Sequence, residues 1–225
     1  MPRFALSSRI AERVRVGPYR RLANRLFHLE YYRSAVWQDT YWLGTPVLKC
    51  PLDLWVYQEL LTELQPDLIV ETGTRFGGSA LFLGSICESI GKGRVVSIDI
   101  EDLPGRPQHD RVEYLLGSST ASDIVARVAA ESATAERVLV ILDSLHSRAH
   151  VLAEMNAYAP FVSPGSYLIV EDTNVNGHPV LPGFGPGPME AVDDFLRDQP
   201  GFVIDSSREK FMMTFSPRGY LRRVA

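Results

Sequence analysis

Four short apolar runs in this chain each end in a carboxylate. Leu68-Ile-Val70 precedes Glu71, Val95-Val-Ser-Ile98 precedes Asp99, Val138-Leu-Val-Ile-Leu142 precedes Asp143, and Tyr167-Leu-Ile-Val170 precedes Glu171 and Asp172. Runs of this kind read as buried parallel strands. In a doubly wound sheet their carboxyl ends share one edge, which is where such folds bind ligands. Asp143, Glu171 and Asp172 come from neighbouring strand ends. Three converging carboxylates without a counter-charge repel one another and raise each other's pKa. A divalent cation resolves that conflict, and an all-oxygen set suits Mg²⁺, with Ca²⁺ or Mn²⁺ also compatible. Helix capping or pairing with arginines is the plainer role for the same acids. His146 follows Asp143 by three residues, one turn away on the same side if the segment is helical. An imidazole beside a hydroxyl bound to a cation at Asp143 is a candidate general base at neutral pH, although a lone histidine is often only a cap. His150 and His178 are the alternatives.

The loop Glu71-Thr-Gly73-Thr74-Arg-Phe-Gly77-Gly78-Ser79 follows the first of these strands and opens a helix-compatible segment, Ala80 to Ile90. Glycines let the backbone take positive φ and approach a ligand closely. The spacing is neither the dinucleotide G-x-G-x-x-G pattern nor a phosphate loop, which would close on Gly-Lys-Ser/Thr. A carboxylate two residues before the first glycine repels phosphate and attracts a cation. A ligand with positive charge and no phosphate fits, and S-adenosylmethionine is the common one. An ordinary strand-to-helix turn with a cap is the bland reading. Asp99, or less directly Glu101 or Asp102, would accept from both ribose hydroxyls. Gly117-Ser118-Ser119 would border the adenine, unless Ser119 or Thr120 caps the next helix. The candidate contacts to this ligand are Glu71, Gly73, Thr74, Gly78, Ser79, Asp99, Ser119 and Asp143. With an acceptor alcohol held at the cation, the transfer is an in-line attack on a sulfonium methyl, for which positioning supplies much of the rate.

These groups must be carried by one α/β domain over residues 1–225, a length that suits a full core. A formal net charge of −4 argues against a generic nucleic-acid binder. Cys50 and Cys87 lack metal spacing, and no secretory signal or membrane-length apolar run is visible, so a cytoplasmic protein without a membrane span is expected. Residues 1–35 read as a basic amphipathic helix that is solvated or contacts a second subunit, which suggests a homodimer or higher homo-oligomer. Together with the aromatic stretch 31–48 they form an extension over residues 1–50. Tyr31, Tyr32, Trp37, Tyr41 and Trp42 would stack on a sugar face or simply pack. Residues 52–64 read as an amphipathic helix, 112–116 as a strand, and the segments ending near Ala133, Ala159 and Arg197 as helices. The glycine- and proline-rich stretch 174–188 reads as a substrate-loop lid or a plain connector. Phe202–Asp205 and Lys210–Phe215 read as a closing hairpin, followed by a basic tail.

Several stretches together resemble the cephalosporin hydroxylase/rhamnosyl O-methyltransferase family: Trp42 to Glu59, Glu71-Thr-Gly-Thr-x-x-Gly-Gly-Ser-Ala80, Val170-Glu-Asp-Thr-Asn174 and Lys210 to Arg223. The resemblance spans about residues 37–223. It implies a Rossmann-like class I methyltransferase fold: a mostly parallel seven-stranded sheet with helices on both faces and an antiparallel last strand. It also implies S-adenosylmethionine and Mg²⁺ as cofactors and puts Asp143, Glu171 and Asp172 at the metal positions. His146 falls where catechol-type relatives keep a basic lysine. The arginine-rich composition is also similar to small sugar O-methyltransferases of mycobacterial methylmannose polysaccharide assembly. The expected acceptor is thus a sugar hydroxyl, on a mannoside, oligosaccharide or glycoside. A cephalosporin-type tailoring enzyme and an S-adenosylmethionine-binding accessory subunit are the rivals. A non-haem iron hydroxylase would want two histidines and one carboxylate, which this set does not offer.

Overall fold

The computed structural model describes residues 19–225. Arg3, Arg9, Arg13 and Arg15 of the expected basic helix lie outside that range. Its described part is helix α1 (Tyr19–Arg33). A short ribbon, β1 (Tyr41–Trp42) and β2 (Thr45–Pro46), leads into α2 (Pro51–Leu64). Proline at the first turn of α2 costs no hydrogen bond there and pre-sets φ for the helix. The elements that follow are β3 (Leu68–Thr72), α3 (Gly78–Ile90), β4 (Arg94–Asp99), β5 (Val112–Leu116), α4 (Ser122–Ser132), β6 (Val138–Leu142), α5 (Arg148–Tyr158) and β7 (Tyr167–Val170). Helix α6 (Pro188–Asp198), β8 (Phe202–Ile204) and β9 (Tyr220–Arg223) complete the chain.

Seven strands form one sheet in the order β5-β4-β3-β6-β7-β9-β8. All neighbours are parallel except at β9, which runs antiparallel to β7 and β8. This is the expected seven-stranded, mostly parallel sheet with an antiparallel last strand. Every residue of β3 and β6 is buried, as strands covered on both faces must be. Alternation sorts their side chains. Leu68, Val70, Val138 and Val140 pack with α4, α5 and α6, while Ile69, Leu139 and Ile141 pack with α2 and α3. The chain winds outward from β3 to β5 on one side and from β6 to β7 on the other. That reversal leaves a crevice at the carboxyl ends of β3 and β6.

The closing hairpin differs from the expected one. β8 pairs with Tyr220–Arg223, not with Lys210–Phe215. Phe215 is held off the sheet: its N–H donates to buried Asp53, and its ring packs against His28, Tyr31, Tyr32 and Trp37. The segment read as a basic tail is therefore the strand between β7 and β8. In the same way Trp42 turns inward, with its ring edge-on to Phe82 and its N–H on Ser85, and so serves packing.

Gly78 opens α3 directly against the β1–β2 ribbon. A Cβ there would lie 2.1 Å from the backbone oxygen of Pro46. Gly78→Ala is expected to lower stability by about 1–3 kcal/mol through overpacking, read as a lowered midpoint in chemical denaturation.

Candidate active site

The crevice holds a cavity of about 640 Å³, a usual size for a small-molecule site. One half is built by the β3, β4 and β5 ends. Gly73 takes φ +87°, and a Cβ there would lie 1.9 Å from the Asp143 backbone oxygen, so only glycine lets the β3 turn lie against the β6 end. Thr74, Ser79, Asp99 and Ser119 line this half. Asp99 Oδ2 accepts from the Arg75 backbone N–H at 2.7 Å and Oδ1 from that of Glu101 at 3.0 Å, while Arg106 lies 3.3 Å away. These bonds aim the Asp99 carboxylate along the cavity wall. Glu101 also lines the cavity, but Asp102 is exposed outside it.

Two expected contacts sit elsewhere. Gly78 faces Pro46 and not the cavity. Glu71 is buried beneath the wall: Ser97 Oγ donates to its Oε2 at 2.7 Å and lies 2.7 Å from Thr74 Oγ1. Glu71 Oε1 has no partner and is buried. Burial pushes its carboxyl pKa up, with Lys49 opposing. An unpartnered acceptor under Thr74 and Ser79 fits a cationic or amine-bearing ligand on the other side of that wall.

The other half gathers the β6 and β7 ends. Asp143, His146 and Asp172 offer ligand atoms that all lie within 4.8 Å of one another, the group among the described residues that could hold a metal ion. His146 Nε2 lies 3.3 Å from Asp143 Oδ1 and 3.3 Å from Asp172 Oδ2. His146 lies in the loop before α5, whose N-cap is Ser147, so the helical condition for its spacing from Asp143 is not met. The loop nonetheless returns its ring to Asp143. Adjacent side chains at a strand end would point to opposite faces. Asp172 leaves strand geometry with φ +52°, a conformation Asp tolerates better than most. Its carboxylate reaches His146 while that of Glu171 turns to the interior.

Glu171 is thus placed differently from the expected trio. Its Oε1 accepts from Lys49 Nζ at 2.6 Å and from the Tyr57 hydroxyl at 2.7 Å. Lys49 Nζ also lies 2.5 Å from Asp143 Oδ2. Lys49 is 4% exposed. Burial alone would lower its pKa, but Asp143 and Glu171 outweigh it and hold the ammonium charged. Burial would raise Asp143, yet Lys49 and His146 hold it below the usual carboxylate range. Burial and the Asp143 charge push Glu171 up, with Lys49 opposing. Sequence reasoning missed Lys49 and Tyr57. Lys49 lies 94 residues from Asp143 in the chain, so no local spacing marks it; the only signal was its place in the Trp42–Glu59 stretch.

The remaining alternatives separate by position. His150 Nε2 lines the first half, 3.1 Å from Ser144 Oγ and 3.4 Å from Ser119 Oγ. His178 is turned away from the cavity to Glu190, at 3.0 Å. Loop 174–188 is tied at its end to α6, since Glu190 also accepts from the Gly187 N–H and Asn176 Nδ2. It presents Val175, Leu181 and Phe184 to the cavity. From the extension, Tyr32 and Trp37 form the facing wall. Burial lowers the His28 pKa to about 4, and the neutral ring lies 3.0 Å from Asn174 Nδ2, tying α1 to the end of β7.

Burial would lower the His146 pKa, but the Asp143 hydrogen bond and the Asp172 charge outweigh it and raise it from 6.5 to about 9. In cation-free protein that stabilisation is complete below the ordinary value and is lost as pH rises toward 9. The melting temperature in chelator is expected to fall between pH 6.5 and 9 in the wild type and to fall less in His146→Gln.

With this geometry in view, the likeness to known proteins is informative. The family model described as Rhamnosyl O-methyltransferase/CmcI matches residues 34–224. A rhamnosyl O-methyltransferase of Mycobacterium leprae is 43% identical over 203 residues, covering 88% of this chain and 89% of that protein. Among solved structures, the CmcI-N160 apo-structure has a TM-score of 0.65 at 23% identity, covering 84% of this chain and 77% of that one. The Mg-SAM structure of cmcI-D160 has a TM-score of 0.63 at 22% identity, covering 84% and 78%. At such identities the structural likeness speaks for the Rossmann-like fold. The family match and the close relative speak for more: this chain belongs to the Rhamnosyl O-methyltransferase/CmcI family and is an O-methyltransferase.

Proposed function

We propose that the chain transfers the methyl group of S-adenosylmethionine to a sugar hydroxyl, assisted by a divalent cation, Mg²⁺ by preference. The observation that carries this reading is the shared cavity. It joins a wall suited to an adenosyl ligand to a cluster of two carboxylates and an imidazole. A relative is named for rhamnosyl O-methylation, and a structural neighbour holds Mg and SAM.

Asp143 and Asp172 are the proposed cation ligands, with Glu171 the adjoining carboxylate and His146 beside them. The donor set is hard and mostly oxygen, as Mg²⁺ prefers. A cation there would lower the pKa of a coordinated hydroxyl and take up the carboxylate charge that otherwise keeps His146 protonated. His146 Nε2, in reach of both carboxylates, is then placed to accept the proton of an acceptor hydroxyl. In the other half, Asp99 accepts from the ribose hydroxyls, and Thr74, Ser79 and Ser119 border the amino-acid and adenine ends. Glu71 acts from beneath, as the charge behind that wall. Tyr32 and Trp37 offer aromatic faces to the apolar face of a sugar ring. The cluster has one histidine and two carboxylates, so it does not supply the two-histidine set of a non-haem iron hydroxylase.

Purified protein is to be assayed with labelled S-adenosylmethionine against mono- and oligosaccharide acceptors and against catechols. Methylation of catechols alone would refute the sugar reading. Excess chelator, or Asp172→Ala, is expected to lower turnover about a hundredfold or more while the demethylated product still binds in calorimetry. Full turnover in chelator would remove the cation from the reading. Trp37→Ala is expected to raise the acceptor KM roughly 3–10-fold with a smaller change in kcat.

A further inference from the structure

Lys49 is a buried charge that the proposed chemistry leaves without a role. Its Nζ lies between Asp143 Oδ2 and Glu171 Oε1, at 2.5 and 2.6 Å. Both contacts are hydrogen-bonded ion pairs in a largely desolvated place, where charge pairs are screened least. Tyr57 completes the arrangement by donating to the same Glu171 oxygen. Asp143 carries two partners on separate oxygens, Lys49 on Oδ2 and His146 on Oδ1. Asp143 therefore belongs to two groups, the ammonium pair on one side and the candidate ligand cluster on the other.

We propose that Lys49 is the built-in counter-cation of the site, a positioning residue that substitutes for the dication when none is bound and competes with it electrostatically. This inference rests on the cation reading given above and concerns how that same site is regulated. Without Lys49, Glu171 would be buried with no cationic partner among the described residues and Asp143 would keep only His146, so the ends of β6 and β7 would repel more strongly. With Lys49 in place the carboxylates are held ready, but an entering dication meets a fixed positive charge close to one of its ligands. The arrangement trades some cation affinity for an ordered cation-free site. It also clips the cavity wall to the carboxylates, because Pro46, Val47 and Leu48, which precede Lys49, line the cavity.

Lys49→Gln retains a hydrogen-bond donor and removes the charge. Lys49→Met removes both. Mn²⁺ binding is read by electron paramagnetic resonance or calorimetry, with no substrate present, and melting temperature is read with and without saturating Mn²⁺. The expected results are an affinity about tenfold or more tighter in Lys49→Gln than in the wild type, and a melting temperature below wild type in chelator whose deficit closes in saturating Mn²⁺. An unchanged or weaker affinity, or a deficit of equal size with and without the cation, overturns the counter-cation role and leaves the cation reading standing. No Mn²⁺ binding by either wild type or variant overturns both. If Lys49→Met does not fold, Lys49→Gln carries the comparison. If neither folds in chelator, refolding of Lys49→Gln by Mn²⁺ supports the substitution of one positive charge for the other, and failure to refold opposes it.

Discussion

Buried like charges must be neutralised, and much of this molecule answers to that constraint. Asp143, Glu171 and Asp172 meet at two adjacent strand ends, Glu171 buried and the other two half-buried at the cavity wall. Lys49 answers the first two, and His146 answers Asp143 and Asp172. Each of these partners is delivered by a different part of the chain. Lys49 comes from the segment before α2, and His146 from the loop before α5. Tyr57, on α2 itself, donates to the same Glu171 oxygen that Lys49 reaches. Removing His146 would leave Asp172 without a cationic partner among the described residues, and removing Lys49 would leave Glu171 with only the neutral Tyr57 hydroxyl.

The fold accounts for why those parts converge. A parallel sheet whose chain direction reverses between β3 and β6 must leave a crevice there, and the loops that leave β3, β4, β6 and β7 all open onto it. Gly73 permits the closest approach, letting the β3 turn rest on the backbone of Asp143. On the opposite side α1 reaches the end of β7 through His28 and Asn174. The ring of Phe215 holds Tyr31, Tyr32 and Trp37 together, and two of these face the cavity. The aromatic stretch is therefore both packing and wall, and the choice between those roles posed by the sequence was a false one.

The two halves of the cavity differ in their degree of organisation. Asp99 is fixed by two backbone N–H groups, and the Thr74–Ser97–Glu71 chain is fixed by short hydroxyl contacts. A ligand binding there meets donors and acceptors already in position, so little ordering entropy remains to be lost. Loop 174–188 is organised as well, through Glu190, whose carboxyl is drawn down to about 2 by the Gly187 N–H, His178 and Asn176 against the effect of burial. Its glycines and prolines shape a wall that bears Leu181 and Phe184.

Local pattern by itself determined the sheet: apolar runs of strand length, acids at their ends, glycines at the β3 turn and helix-length segments between them. These are short-range properties, written in periods of two and of 3.6 residues. The strand-end acids were legible for the same reason, since topology puts every parallel carboxyl end on one edge. Which acid faces which partner was decided only in three dimensions. Glu171 and Asp172 are neighbours in sequence, yet Glu171 turns to Lys49 and Tyr57 in the interior while Asp172, with a left-handed backbone, reaches His146. Lys49 joins them from more than ninety residues away, and the closing strand is Tyr220–Arg223 because tertiary packing captured Phe215. Such contacts depend on side-chain direction and long-range closure, and no spacing along the chain records either.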